Sequence, residues 1–472
     1  KNDTIIFVGE DNLHYEKFQN GSVKCIEDEI PFEVPKGWEW CRVRDIAAVK
    51  GGKRLPKGVG FSPCRTAHAY IRVTDMKNHS INTDDLKYIS EEVFLQIKNY
   101  TISKDDLYVT IAGTIGVTGE VPTELDGMNL TENAVKITNI QINKTYLCLI
   151  IQSEFVQQQF QDKTHQVAMP KLALERILST LIPVCTITTQ SAMVSKFVEM
   201  DSLINQIREE KEILAETVSL TKSKILDLAI RGQLVPQDPN DEPALVLLER
   251  IRAEKEELIK AGKIKRDKKE SIIFRGEDNS YYQQTGTLIE NINDWNLDDI
   301  PINWELCCLG EICDYGNCVN VDTKDIDEEA WVLDLEDIEK DSGKVIHKIR
   351  KYERDSSSTK HLFKKGQVLY SKLRPYLNKV VLADEEGFCT SEILPLNFSN
   401  VVEPQYALYY LMSPTFLKYA NRCSYGVKMP RLGTADGRKA VFPLPPFEEQ
   451  RRISQHISKI FIEIDDISNM LL

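Results

Sequence analysis

The chain has 472 residues, 42% of them hydrophobic and 28% charged, with 59 Lys and Arg against 72 Asp and Glu. That length makes two to four domains of ~150 residues, and that balance excludes a disordered, collagenous or purely coiled-coil chain. A net charge of −13 speaks against a nucleic-acid partner unless the cations are gathered locally. No apolar run reaches the ~18 residues of a membrane span. The chain opens Lys-Asn-Asp-Thr, without Met or a basic-then-apolar leader, as a trimmed or partial chain would. Eleven scattered cysteines, none in a Cys-x-x-Cys pair, fit reduced thiols and a cytoplasmic location.

Residues 1–34 read as a linker arm, and Pro35-Lys36-Gly37-Trp38-Glu39 opens a first globular domain, 35–186. Between residues 42 and 77 stand nine Lys and Arg against two acids, a local +7. Leu107-Tyr108-Val109-Thr110-Ile111 is β-rich, and Gly113-Thr114-Ile115-Gly116 is a turn after it. That turn lacks the Lys of a phosphate loop. Met193, Phe197, Met200, Ile204, Ile207, Lys211, Leu214, Val218, Thr221, Ile225 and Leu228 step by four and three, a coiled-coil seam over 187–232. Gly232 ends that helix, and Pro236, Pro239 and Pro243 forbid its continuation. Residues 233–290 hold a second helix, from Ala244 to about Ala261, and a basic linker at 263–269. An acidic stretch, Glu277 to Asp341, leads into a second domain, 291–446, which at 344–379 holds eleven Lys and Arg against two acids, a local +9. Residues 447–472 carry a second seam, Ile453, Ile457, Ile460, Ile464, Ile467 and Leu471.

The chain repeats itself. Ile5-Ile6-Phe7 and Gly9-Glu10-Asp11-Asn12 recur as Ile272-Ile273-Phe274 and Gly276-Glu277-Asp278-Asn279. Pro35 to Cys41 recurs at Pro301 to Cys307, Met169-Pro170-Lys171-Leu172 at Met429-Pro430-Arg431-Leu432, and Pro183 and Gln190 at Pro443 and Gln450. The offset drifts from 267 to 260, as loop deletions between two related domains would produce. Each domain reads as mixed α/β, and the two seams keep matching phase. By the same register, the counterparts of 225–267 are expected upstream of Lys1, and the second seam stops at the counterpart of Lys211. The stretch 190–204 is then expected to lack a helical partner.

Motifs of catalysis are missing. No Gly-x-x-x-x-Gly-Lys-Ser/Thr loop is present, and the histidines form no paired motif. Cys307, Cys308, Cys313 and Cys318 are poorly spaced for zinc and read as buried thiols. Leu444-Pro445-Pro446-Phe447 is superficially like the Asn/Asp-Pro-Pro-aromatic motif of amino-methyltransferases, but Leu444 offers no acceptor to an amine. It reads as a helix start, with Glu448 and Glu449 at the positive end of the dipole.

The stretch Ile225-Leu226-Asp227-Leu228-Ala229-Ile230-Arg231-Gly232-Gln233-Leu234-Val235-Pro236, continuing through Pro243-Ala244, resembles the central conserved region of the specificity subunits of type I restriction-modification systems. So do Leu248-Glu249-Arg250-Ile251, the Pro-x-Gly-Trp-Glu opening, Tyr70 to Met76, Lys372 to Leu377 and Pro445 to Gln450. The resemblance covers nearly the whole chain. It implies two target-recognition domains joined by long helices in an antiparallel coiled coil, each reading one half of a split DNA target. It implies double-stranded DNA, two methylation subunits and two restriction subunits as partners. S-adenosylmethionine, ATP and Mg are then expected in those subunits and none in this chain. One departure is Pro183 to Gln190, which lacks the Pro-Pro-Phe-Glu-Glu of Pro443 to Gln450.

Reading base edges takes Arg, Lys, Asn or Gln, while other cations grip phosphate. The candidates are Lys53, Arg54, Lys57, Arg72 and Lys171 in the first domain, and Lys372, Arg374, Asn378, Lys428 and Arg431 in the second. Candidate coiled-coil contacts are Phe197, Ile204, Ile207, Leu214, Ile457 and Ile464. The loops differ between the halves, so the half-sites are expected to differ. A recognition subunit with a differently arranged nuclease (type IIB- or IIG-like), or a coiled-coil adaptor binding proteins, are the other two readings.

Overall fold

The computed structural model describes every residue except 1–3, 163–170, 263–269, 279, 293, 294, 296, 298, 299, 355–357 and 472. Met169, Pro170, the basic linker 263–269 and Asn279 therefore lie outside the described residues. Two compact units divide the chain, 1–206 and 207–472.

In the first unit the domain's opening and closing strands pair with each other. Glu39–Arg42 lies antiparallel to Leu181–Val184, with Trp40 opposite Pro183. Between them, four antiparallel strands run in the order Thr118–Glu120, Leu107–Thr110, Ala134–Thr138, Ala48–Gly51. A second four-stranded sheet, Thr101–Ile102, Met128–Leu130, His68–Ile71 and Lys87–Ile89, contains one parallel pair. The run Leu107–Thr110 is buried throughout, which is why it reads as continuously apolar and not alternating. The turn after it needs left-handed backbone at Gly113 and Gly116.

The second unit repeats the clasp. Glu305–Cys308 lies antiparallel to Val441–Leu444, with Leu306 opposite Pro443. Between its clasping strands lie a five-stranded sheet, from Val319–Val321 to Ile349–Arg350, and a three-stranded sheet centred on Val368–Ser371. In both units the repeated glutamine is fully buried. Gln190 accepts from the Asn143 amide at 2.9 Å and donates to the Cys185 carbonyl at 2.7 Å. Gln450 accepts from the Glu403 amide at 2.8 Å and donates to the Pro445 and Val401 carbonyls. Each ties the start of a long helix to the cap of a short one, since Asn143 and Glu403 cap Lys144–Gln152 and Pro404–Met412.

The long helix runs from Ile187 to Ile230, 44 residues. It ends where Gly232 takes φ +68°, with a Cβ there lying 2.4 Å from the Pro301 ring. Ala244–Lys260 follows, its C-cap at Ala261. Within the second unit the C-terminal helix, Phe447–Leu471, runs antiparallel to the end of the long helix. Lys222 pairs with Asp465 and sits 5.2 Å over the Phe461 ring, while further along Gln237 meets Glu449 and Arg452 meets Asp241. Leu226, Ala229, Ile230, Ile453 and Ile457 share one core.

The heptad reading needs one correction. Ile225 and Leu228 are only half-buried, and the deepest positions are their neighbours Leu226, Ala229 and Ile230. The helix end packs on the core of the second unit as well as on a partner helix, which widens the buried face beyond a two-position seam. Of the four thiols expected to be buried, Cys307 and Cys308 are, while Cys313 and Cys318 are half-buried. Among the described residues no cluster of His, Cys, Asp and Glu is placed to hold a metal, and no helix is long and apolar enough to cross a membrane.

Candidate nucleic-acid interface

Most of the linear charge runs are spent inside the fold. In the second unit Lys348 and Arg350 pair with Glu385, Lys351 with Glu328, Arg354 with Asp334, Glu336 and Asp337, and Lys360 with Asp334. The acidic stretch and the +9 run largely neutralise each other, so the run is not a single basic face. In the first unit Arg42 is buried against Glu16 and Glu29, and Arg44 meets Glu175.

In each unit one repeated glutamate holds a candidate arginine. In the first, Arg54 Nε lies 2.5 Å from Glu132, and Lys171 Nζ donates to the Glu132 carbonyl at 3.3 Å. Thr131 also donates to that carboxylate, and the Tyr70 hydroxyl, 3.3 Å from it, donates to the Lys53 carbonyl at 2.7 Å. Burial pushes the Glu132 carboxyl up, but Arg54 and Thr131 outweigh it and hold the group below its usual range. Arg54, Arg72, Phe61, Tyr70, Glu132 and Asn133 line one cleft of about 390 Å³. Arg72 is itself clamped by Asp75 at 2.6 Å and by Asp85 at 3.5 Å. Lys53 sits 5.4 Å over the Tyr100 ring, and Lys57 is exposed but does not line the cleft.

In the second unit Arg431 grips Glu392 with three hydrogen bonds of 2.8–3.1 Å, which hold the Glu392 carboxyl below its usual range. Lys372 donates its amide to the Glu392 carbonyl and accepts from the Leu432 amide. Arg374 takes left-handed backbone, φ 49°, and its amide bonds Pro430. Its Nε is buried with no hydrogen-bond partner among the described residues. Lys428 is exposed beside Val427. The same frame holds in the first unit, where the Leu172 amide donates to Ile111 as that of Leu432 does to Lys372. On this frame Gly113-Thr114 stands where the second unit presents Arg374-Pro375.

Asn378 is a correction. It is 7% exposed, and its amide is spent on the Met412 carbonyl at 3.2 Å. Its φ of 47° marks a structural position at the end of a tight turn, since Asn tolerates left-handed backbone better than most residues. Sequence reasoning missed Glu132 and Glu392. Their signal was present, for they sit 260 apart, at the same offset as Lys171 and Arg431.

The expected coil contacts fall into two groups. Ile457 is fully buried, and Leu214 and Ile464 are half-buried. Phe197, Ile204 and Ile207 are about half exposed, at 50%, 45% and 54%.

The type I restriction modification DNA specificity domain matches residues 35–216 and 301–471. The specificity subunit of the type I restriction enzyme EcoAI from Escherichia coli is 30% identical over 260 residues, covering 52% of this chain and 40% of that protein. The EcoDI specificity subunit from the same organism is 23% identical over 288 residues, covering 58% of this chain and 54% of that protein. The chain thus spans about half, or less, of the curated relatives it matches. A solved structure described as the structural basis of complex assembly and conformational transition of the type I R-M system covers 93% of this chain and 94% of its own, with a TM-score of 0.55 at 16% identity, a likeness of fold. With both matched segments holding a clasped domain, its glutamate-centred basic site and the start of a helix, the chain belongs to the family defined by the type I restriction modification DNA specificity domain.

Proposed function

We propose that the chain is the DNA-specificity subunit of a type I restriction-modification assembly and supplies address, not chemistry. The observation that carries this is the pair of glutamates 260 residues apart, Glu132 holding Arg54 and Glu392 holding Arg431, on a shared frame whose loops differ. A carboxylate that holds an arginine in one orientation lowers the entropy lost when that arginine binds. Arg54 and Arg431, held in this way, would read guanine edges or grip phosphate, and Lys53, Lys57, Arg72, Lys171, Lys372 and Lys428 would add backbone or base contacts. Arg374, beside Lys372 on the same loop, would add a further base or phosphate contact. Different loops on one frame would read different half-sites, so the target would be split and asymmetric.

Two methylation subunits, drawing on S-adenosylmethionine, and two restriction subunits, drawing on ATP and Mg, would complete the assembly in the cytoplasm. The exposed apolar residues Phe197, Ile204 and Ile207 would face helices outside the described structure. Duplex binding at several salt concentrations tests the reading. We expect affinity to fall linearly on a log–log plot, by on the order of 10³ between 50 and 200 mM salt if ~6 phosphates are neutralised. A protein-binding adaptor would show no such affinity, and that result would remove the proposal.

A further inference from the structure

Asn133 follows Glu132 directly and lines the same cleft as Arg54, Arg72, Phe61 and Tyr70. The hydrogen bonds it makes among the described residues all run through its backbone. Its amide lies 3.5 Å from the Thr131 hydroxyl, and its carbonyl accepts from the Ile111 and Ala112 amides at 2.8 and 3.3 Å. Those bonds tie it to the foot of the turn that begins at Gly113, where the two units differ. The residue is half-buried, and its side-chain amide has no hydrogen bond among the described residues.

The internal repeat shows what the frame alone requires at this place. Thr110 pairs with Ala134 as Tyr370 pairs with Leu394, so Asn133 and Ile393 are counterparts. The glutamate before each is kept, and so is a hydroxyl before that, Thr131 in one unit and Ser391 in the other. Ile393 is fully buried and belongs to a core with Trp331 and Phe363. An aliphatic side chain therefore serves the frame, and the amide in the arginine-lined cleft belongs to the first domain alone.

We propose that Asn133 reads an adenine in the half-site of the first domain. The inference rests on the DNA-specificity reading and names one base within it. A side-chain amide offers one donor and one acceptor side by side. In the major groove adenine shows the matching pair, the N7 acceptor and the N6 donor. Guanine shows two acceptors there, N7 and O6, so the Asn133 Oδ1 would face an oxygen. Cytosine N4 and thymine O4 each take only one of the two bonds. Arg54, held by Glu132, and Arg72, held by Asp75, line the same cleft and bring charge for the phosphates nearby.

The test is methylation mapping in cells that co-express the full chain, or its Asn133→Ala or Asn133→Asp variant, with the methylation subunit. Asn133→Ala should lose about tenfold in discrimination at one A·T position of one half-site, with the other half-site unchanged. Asn133→Asp replaces the donor by a second acceptor, so the preference at that position should move from adenine to cytosine, whose N4 donates. Neither variant should shift the urea midpoint of the chain, because the side chain holds no part of the frame. A shifted midpoint with unchanged sites would make Asn133 structural and overturn the proposal. So would unchanged sites in both variants, or relaxation at a position that is not A·T. Absence of methylation with the unaltered chain would count against the DNA-specificity reading itself, and this inference would fall with it.

Discussion

Gln450 makes three hydrogen bonds without exposing any of its surface, so each partner would be left in a dry environment by its removal. We expect Gln450→Ala to cost about 3 kcal/mol, more than truncation of an exposed side chain, because unpaired buried amides and carbonyls carry a desolvation penalty. Urea unfolding monitored by circular dichroism measures this. The pattern of Gln190 and Gln450 was legible as a repeat, but its cause was not, because the partners lie 47 and 49 residues away in sequence. Charge was the least legible property. A count of cations along 344–379 found a basic surface, yet Arg354 spends its guanidinium on Asp337 and Lys360 its ammonium on Asp334. Strand pairing brings those residues together, and linear spacing cannot show it. Lys372 and Arg374 were separated from the rest of that run by the family pattern, not by their charge. Asn378 was chosen for its chemistry, but left-handed backbone explains its presence.

At the scale of elements, one repeated position behaves in two ways. Ile457 is fully buried against the end of the long helix, whereas Phe197, its counterpart at offset 260, is 50% exposed. The heptad period made both helices visible, but a period reports a stripe and not what covers it. Ile457→Ala should cost about 3 kcal/mol, since it deletes three carbons from a packed core. Ile204→Asp should leave the unfolding midpoint of the isolated chain nearly unchanged and still impair assembly with a methylation subunit, as co-purification would show. Equal losses of stability in both variants would mean that Ile204 is covered within the chain. Acid should loosen the helix pair. Burial pushes the Asp465 carboxyl up, but Lys222 and Lys344 outweigh it and hold it below its usual range. A carboxylate depressed in this way stabilises the fold above its unfolded pKa of ~3.9 and loses that contribution as pH falls through the folded value. Asp465→Asn should therefore flatten the part of the stability–pH curve below about pH 4.

At the scale of the molecule, two domains of one design with unlike loops are what a split, asymmetric target requires. The long helix would then set the spacing. Seven residues inserted near Glu210, matched in any helix that pairs with this stretch in the assembly, add ~10 Å at ~1.5 Å per residue, about three base pairs of B-form DNA. We expect the gap between half-sites to lengthen by that amount with both half-sites unchanged. An unchanged gap would show that the helix does not act as a ruler. The central claim is that each domain reads its own half of one target. Mapping of methylated adenines across the genome of cells that co-express the chain with its methylation subunit tests it most directly, with Lys372→Ala/Arg374→Ala compared against the unaltered chain. The account requires two unlike half-sites separated by a fixed gap, with the double variant relaxing or losing recognition at one half while the other stays intact. Identical methylation by both chains, or a target that loses both halves together, would contradict it.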